Sequence, residues 1–195
     1  MRITIFLCWS LLAAGAVRAD AFVRDDIIND PTPQRFSVCH DHGCLNLAYA
    51  SLEPAQWEKV KTLFQPAPKT ASEERQRLGQ AIALLETFAG ELTGTANDKG
   101  ANLRGLGEPG QMDCIDESIN TSLYLTLLQK QGLMRLHRVE DRATRGWLLF
   151  GWPHTAAVIQ EIASSALWAV DSWFLDNGQP PFILPLDQWR DGWTP

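Results

Sequence analysis

Cationic side chains are scarce in this chain of 195 residues, where 17 Lys and Arg stand against 23 Asp and Glu for a net charge of −6. No stretch gathers them, so a phosphate backbone or an anionic membrane surface finds no electrostatic footprint, and nucleic acid is excluded as a main partner. Long apolar runs are equally scarce. The run from Ile3 to Ala16 falls short of the roughly 18 residues a membrane span needs, and no later segment exceeds it, so an integral membrane protein is not expected. A C-x-x-C pair is missing, which removes the usual motif of a thiol oxidoreductase.

What the N-terminus does contain reads as an export signal. Arg2 precedes the apolar run, and the small residues of "AVRADA" offer cleavage after Ala19 or Ala21. Residues 1–19 are therefore expected to be a signal peptide and 20–195 a single soluble domain, periplasmic or secreted. Cys8 falls inside the leader. Cys39, Cys44 and Cys114 remain, an odd number that leaves one thiol over. In "VCHDHGC", Cys39 and Cys44 are close enough to close a small disulfide loop in an oxidising compartment. The rival reading is a metal site built from both sulfurs, His40 and His42, although such sites usually draw a second ligand pair from elsewhere in the chain. With the disulfide formed, Cys114 is the free cysteine.

Periodicity supplies the frame. Residues 20–50 read as irregular. A helix is predicted from Glu53-Pro54 with Trp57, Val60, Leu63 and Phe64 at helical spacing, and a second over 72–89, stopped by Gly90. The glycine-rich stretch "GTANDKGANLRGLGEPGQM" reads as a functional or mobile loop. A third helix starts at Cys114, with Asp113 as N-cap and Asp116 completing a near capping box. Ile115, Ile119, Leu123 and Leu127 mark its buried face, and Gly132 ends it. Beyond Gly132 the segments "LMRLHRV", "GWLLFG", "HTAAVIQEI", "ALWAVDSWF" and "PFILPL" predict four or five antiparallel strands. Helices first and strands afterwards give the α+β class. Six of the eight tryptophans fall in this last quarter, which suits a packed sheet and an aromatic-walled cleft equally.

Chemistry concentrates on Cys114. A helix N-terminus favours the thiolate and lowers a thiol pKa from its free value of about 8.5, whereas Asp113 and Asp116 oppose it. A nucleophile there needs a cationic partner. His137, followed by Arg138, reads as a strand residue on the solvent face. His154 opens a strand beside Ala156 and Val158, where small neighbours leave room for a sulfur. Asp171, a charge in a tryptophan-flanked apolar strand, is costly to bury alone and suits the group that orients the imidazole. A turn at Ile162-Ala163 sets His154 directly opposite Asp171, and a loop over 163–165 makes them diagonal neighbours.

Asp113-Cys114-Ile115-Asp116, His154 and Val170-Asp171, in that order, resemble the bacterial transglutaminase-like cysteine proteinases, over about residues 111–178. The resemblance implies a papain-like core and acyl transfer through a thioester. Cys114 would be the nucleophile, His154 the base and Asp171 the orienting carboxylate, with the Cys114 N–H and Gln111 as oxyanion donors. The implied substrate is a protein or peptide. Water as acceptor makes a protease or amidase, and an amine makes a cross-linking transglutaminase. One branch of the family binds calcium through carboxylates flanking the nucleophile, trims surface adhesins and is held by a membrane receptor. Asp113 and Asp116 match that branch in type, while Ile115 replaces its glutamate, so no cofactor is expected beyond this weak calcium match. The chain's own residues leave plainer readings beside this one. Cys114 can be an inert buried thiol, Asp113 and Asp116 helix caps only, His154 a core histidine, and Asp171 a partner for Arg145. The protein would then be an exported binding or assembly module on the same fold.

Overall fold

The structure, a computed structural model, describes residues 24–102, 104, 105, 107–146 and 153–195. The expected signal peptide and most of "GWLLFG" lie outside the described residues. Among the described residues, two antiparallel sheets and four helices form an α+β arrangement. A hairpin of β1 (Phe36–His40) and β2 (Asn46–Ala50) comes first, followed by α1 (Pro54–Thr62), α2 (Ala71–Thr93) and α3 (Cys114–Lys130). A four-stranded sheet follows, β3 (His137–Arg145), β4 (His154–Glu161), β5 (Leu167–Asp171) and β6 (Phe182–Pro185), in the spatial order β3-β4-β5-β6. The short α4 (Leu186–Arg190) is the last described element, five residues before Pro195. Among the described residues, no helix is long and apolar enough to cross a membrane.

The third helix is central. Of its predicted stripe, Ile119, Leu123 and Leu127 are buried and Ile115 is half-buried, but Ser118, Asn120, Thr121, Tyr124, Leu125 and Leu128 on its other sides are buried too. Only the face of Ile115, Ser122 and Thr126 is half-open, so the helix needs cover on nearly every side. Here β1, β3, β4 and α2 all pack against it. Trp57 and Val60 of α1, Leu78, Ile82 and Leu85 of α2, and Ala157, Ile159 and Val170 of the large sheet join α3 in one core. Each buried leucine or isoleucine contributes about 1.5–3 kcal/mol. The period of two in β4 sends the alternate residues Ala156 and Val158 to the opposite face, where they meet Ala169, Leu184, Leu186 and Trp189.

Several expectations are corrected. Residues 36–50 are not irregular but form a hairpin. Gly90 does not stop α2, which runs on to Thr93 and ends at Gly94 in the left-handed region, φ +83°. A β-carbon on Gly90 would stand 2.9 Å from the backbone of Ala96, so this glycine serves close loop packing rather than termination. The strand expected over "LMRLHRV" begins at His137 and continues through the charged "EDRATR". As the edge strand of its sheet it tolerates exposed charges, and these hid its length. "PFILPL" is strand only to Pro185, after which the chain turns into α4.

The β4–β5 hairpin sets the register that matters. Ala157 pairs with Val170 and Gln160 with Leu167, and Ser165 takes φ +60° where the turn has no glycine. His154 and Asp171 are consequently diagonal rather than directly opposed neighbours. A bulge between Glu140 and Ala143 shifts β3 by one residue and brings Arg145 opposite His154.

Candidate active site

Cys114 is the first residue of α3 because Asp113 caps the helix. The Asp113 carboxylate accepts from the N–H groups of Ile115 at 2.9 Å and Asp116 at 3.0 Å, while Asp116 Oδ2 accepts from Asp113 N at 3.1 Å. The thiol is half-buried. Its pKa moves opposite to the expectation from the helix end. Burial pushes the Cys114 thiol up to about 11, and the carboxylates of Asp113 and Asp171 add to the rise. The Thr155 backbone N–H, aimed at the sulfur, pulls downward without offsetting it. The resting sulfur is therefore protonated at neutral pH. The contact with Thr155 also brings the thiol to the first residues of β4, next to His154.

His154 and Asp171 are joined. His154 Nε2 lies 2.7 Å from Asp171 Oδ2, with the residues 7 % and 1 % exposed. Trp189, which the sequence reading did not single out, completes this pair. Its indole Nε1 donates to the same oxygen at 2.7 Å, and its ring centroid lies 5.6 Å from that of His154. Trp173 and Phe174 flank the imidazole at 4.9 and 5.2 Å. Arg145 stacks on Trp189 at 4.5 Å and donates to its carbonyl. It forms no ion pair among the described residues and no hydrogen bond to Asp171. The signal available for Trp189 was only its place among clustered tryptophans after Pro185.

Cys39 and Cys44 form the disulfide, Cα atoms 4.6 Å apart. That rules out the four-ligand metal reading, because the sulfurs are bonded to each other. Cys39, Cys44 and Asp116 lie within 4.8 Å as a group of metal-ligating types, but for the same reason only Asp116 has a free ligand atom. The turn the disulfide closes is unusual. Asp41, His42, Gly43 and Cys44 all lie in the left-handed region, with φ of 66°, 68°, 65° and 54°. The three non-glycine residues cost about 1–2 kcal/mol each. The first two turns of α3 hold this conformation. Asn120 bonds both backbone groups of Cys39, at 2.7 and 2.9 Å. Asp116 accepts from His42 N at 2.8 Å and Cys44 N at 2.6 Å. Both Asp116 oxygens are thus taken by backbone N–H groups, and Asp113 is committed to its cap. A cation at this pair would therefore compete with donors that already hold Asp116 and one oxygen of Asp113.

Gln111 is also committed elsewhere. Its Oε1 accepts from Asn102 Nδ2 at 2.6 Å and Lys99 N at 3.3 Å, and its Nε2 donates to Asn97 O at 2.9 Å. It stitches the glycine-rich loop together, and that loop docks on the chain after β5 through Ala101 N to Trp173 O at 2.7 Å and Gly100 N to Asp176 at 3.0 Å. His137 is buried, not on the solvent face. Arg75 donates to its Nε2 at 3.1 Å, so its Nδ1 carries the proton given to Glu74 Oε1 at 2.9 Å. Beneath the site lie further buried carboxyls. Burial raises Glu86 to about 8 and Asp98 and Asp116 to about 7, and it drives Glu117 well above the usual range.

Cys114, His154, Arg145, Trp173, Phe174 and His42 line one cavity of about 490 Å³. The arrangement offers a thiol, an imidazole oriented by a buried carboxylate, and the Cys114 N–H that the Asp113 cap leaves unused at the helix start, in a largely apolar enclosure. Such a set suits attack on a carbonyl carbon with local proton transfer. No protein-family model matches this chain, and neither the curated proteins nor the solved structures give a match.

Proposed function

We propose that the protein is an exported cysteine peptidase or amidase with Cys114, His154 and Asp171 as its triad, on a core of the transglutaminase-like, papain-like kind. The observation that carries this reading is the 2.7 Å bond from His154 Nε2 to Asp171, beside a thiol that lines the same cavity. With Nε2 committed, His154 Nδ1 is the nitrogen left to take a proton from the sulfur. As the Cys114 S–C bond forms, the thiol proton passes to His154 and the carbonyl electrons become an oxyanion. Collapse expels the amine, which leaves with that proton, and water then hydrolyses the thioester through the same imidazole. Asp171 and Trp189 fix the ring throughout. A thiol raised to about 11 acts in this scheme by concerted transfer to His154 and not as a standing thiolate. Trp173 and Phe174 favour an apolar side chain on the acyl donor of a protein or peptide substrate. Export rests on the N-terminal leader together with the disulfide.

The same raised thiol favours a second reading, in which the cavity binds a peptide without chemistry. Alkylation separates the two. Under the hydrolase reading, iodoacetamide modifies Cys114 at pH 7 at least about tenfold faster than His154→Ala allows. Equal rates in both proteins would leave only the binding module. For the substrate, exported proteins from cells carrying the native chain or Cys114→Ser are compared by mass spectrometry for termini that depend on the thiol.

A further inference from the structure

We propose that His42 is the side-chain oxyanion donor, so that its imidazole N–H and the backbone N–H of Cys114 together receive the carbonyl oxygen during attack. The inference rests on the hydrolase reading and extends it to a residue outside the triad. His42 lines the cavity that holds Cys114. Both of its ring nitrogens are shielded from solvent and have no hydrogen-bond partner among the described residues. The residue itself is half-buried, but an imidazole always carries at least one N–H, and ring nitrogens shielded from water without partners are a rare, unfavourable state unless a bound group completes them.

The backbone carries the same message. His42 sits in the middle of a left-handed turn that an ordinary loop would avoid, and such conformations persist where the surroundings over-determine them. The surroundings here are the disulfide, Asn120 and Asp116. Asp116 Oδ2 accepts from both His42 N and Asp113 N, which ties the turn to the residue just before the nucleophile. Asp41 closes the other side, accepting from Gly110 N at 3.0 Å and donating its own N–H to Gln111 O at 2.9 Å. The turn is anchored on three segments, yet the ring it presents bonds to none of them. Gln111, the donor expected from the sequence, has its amide bound within the loop, and Asn102, another cavity residue, gives its amide to Gln111.

The step balances without a co-reactant. With p-nitrophenyl acetate as probe, the sulfur–carbon bond forms, the carbon–oxygen bond to p-nitrophenolate breaks, and the thiol proton goes to His154. The carbonyl oxygen carries negative charge only in between, facing His42. Iodoacetamide makes an oxyanion-free control, because it alkylates the same sulfur by displacement of iodide.

The experiment measures both reactions on the native protein, His42→Ala, His42→Gln and Cys114→Ser, the last as background. Acetylation of Cys114 is followed by p-nitrophenolate release and intact mass. His42→Ala is expected to acetylate about 10²-fold more slowly, the usual loss for one oxyanion donor, while its alkylation rate stays within about threefold of native. His42→Gln, which keeps an N–H at similar reach, is expected to recover about tenfold of that loss. Acetylation of His42→Ala within about threefold of native overturns the inference and leaves the triad standing. Parallel loss of acetylation and alkylation also overturns it, marking His42 as structural support. A native protein that is alkylated but never acetylated at Cys114 overturns the hydrolase reading and the inference with it.

Discussion

Replacing Trp189 with phenylalanine tests how the imidazole is held. The indole N–H lies 2.7 Å from Asp171 Oδ2, an oxygen it shares with His154, while Asp171 Oδ1 is buried without a partner. Trp189→Phe therefore takes one of two donors from a buried carboxylate that has no others among the described residues. A hydrogen bond to a charged group contributes about 1.5–3 kcal/mol. The smaller ring also leaves a void of roughly 40 Å³, worth about 1 kcal/mol at the usual cost of unfilled core volume. Weaker stacking beneath Arg145 adds about 0.5 kcal/mol. The expected loss is about 3–4.5 kcal/mol, read as the shift in urea midpoint at pH 7 multiplied by an unchanged slope. Trp193→Phe, a ring that packs edge-on against Phe182 and Phe174, is the control and should cost under about 1 kcal/mol. The double variant Trp189→Phe/Asp171→Asn closes a cycle whose coupling should reach about 1.5 kcal/mol or more. A loss below about 1 kcal/mol for Trp189→Phe, or a coupling near zero, would refute the claim that the indole anchors the carboxylate.

Stability should also fall as pH rises from 5 to 8. Unfolded carboxyls release their protons near pH 4, whereas in the fold Asp98 and Asp116 keep theirs to about 7 and Glu86 to about 8. The native state thus binds more protons across that window, and each such proton gives a slope of up to about 1.4 kcal/mol per pH unit. Urea midpoints at each pH check this, and Glu86→Gln should flatten the curve; a midpoint that rises with pH contradicts it. Glu74 works in the other direction. Burial pushes it upward, but His137 and the backbone N–H groups of Arg135 and Leu136 outweigh that and hold it below its ordinary value, so its stabilisation is present above about pH 4.5 and is lost as pH falls through the lower folded value. Glu74→Ala, which strands those donors, should cost about 3–5 kcal/mol in the same titration. Reduction of Cys39–Cys44, a loop with a separation of only five, should remove about 2 kcal/mol of stability. It should also slow Cys114 acetylation, because the turn carrying His42 is released; full activity in the reduced protein would contradict that link.

The candidate site was more legible in the sequence than its support. Cys114, His154 and Asp171 stood out because each is a polar side chain at an element boundary or within an apolar strand, where burial demands a partner. The caps of α3 were readable because capping is local chemistry between residues three apart. Trp189 and His42 were not readable, since their roles depend on contacts made across the fold. The β1–β2 hairpin was missed for a related reason. Its strands are five residues each, and the turn between them takes a left-handed course held by the disulfide and by bonds to Asn120, Asp116, Gly110 and Gln111, all but the disulfide remote in sequence. The same distance in sequence hid Gly90, whose lack of a side chain matters to Ala96 and not to its own helix.

The acidic residues around the thiol have a structural explanation that alters the chemistry. The main work of Asp113 and Asp116 is structural, one capping α3 and the other holding the turn of the disulfide. Burial, with smaller contributions from the charges of Asp113 and Asp171, keeps the thiol protonated at rest. A protonated thiol resists oxidation, because the thiolate is the species that reacts. In an oxidising compartment that is an advantage for an unpaired cysteine. In the proposed mechanism, activation depends on His154 accepting the proton as a carbonyl arrives, with Asp171 and Trp189 keeping the ring turned for that transfer. Asp171→Asn should accordingly lower Cys114 acetylation by about 10² or more while raising the rate at which hydrogen peroxide oxidises the thiol by no more than about twofold, since the carboxylate's influence on the resting sulfur ranks below that of burial. Oxidation that accelerates tenfold in this variant would show that Asp171, and not burial, guards the thiol.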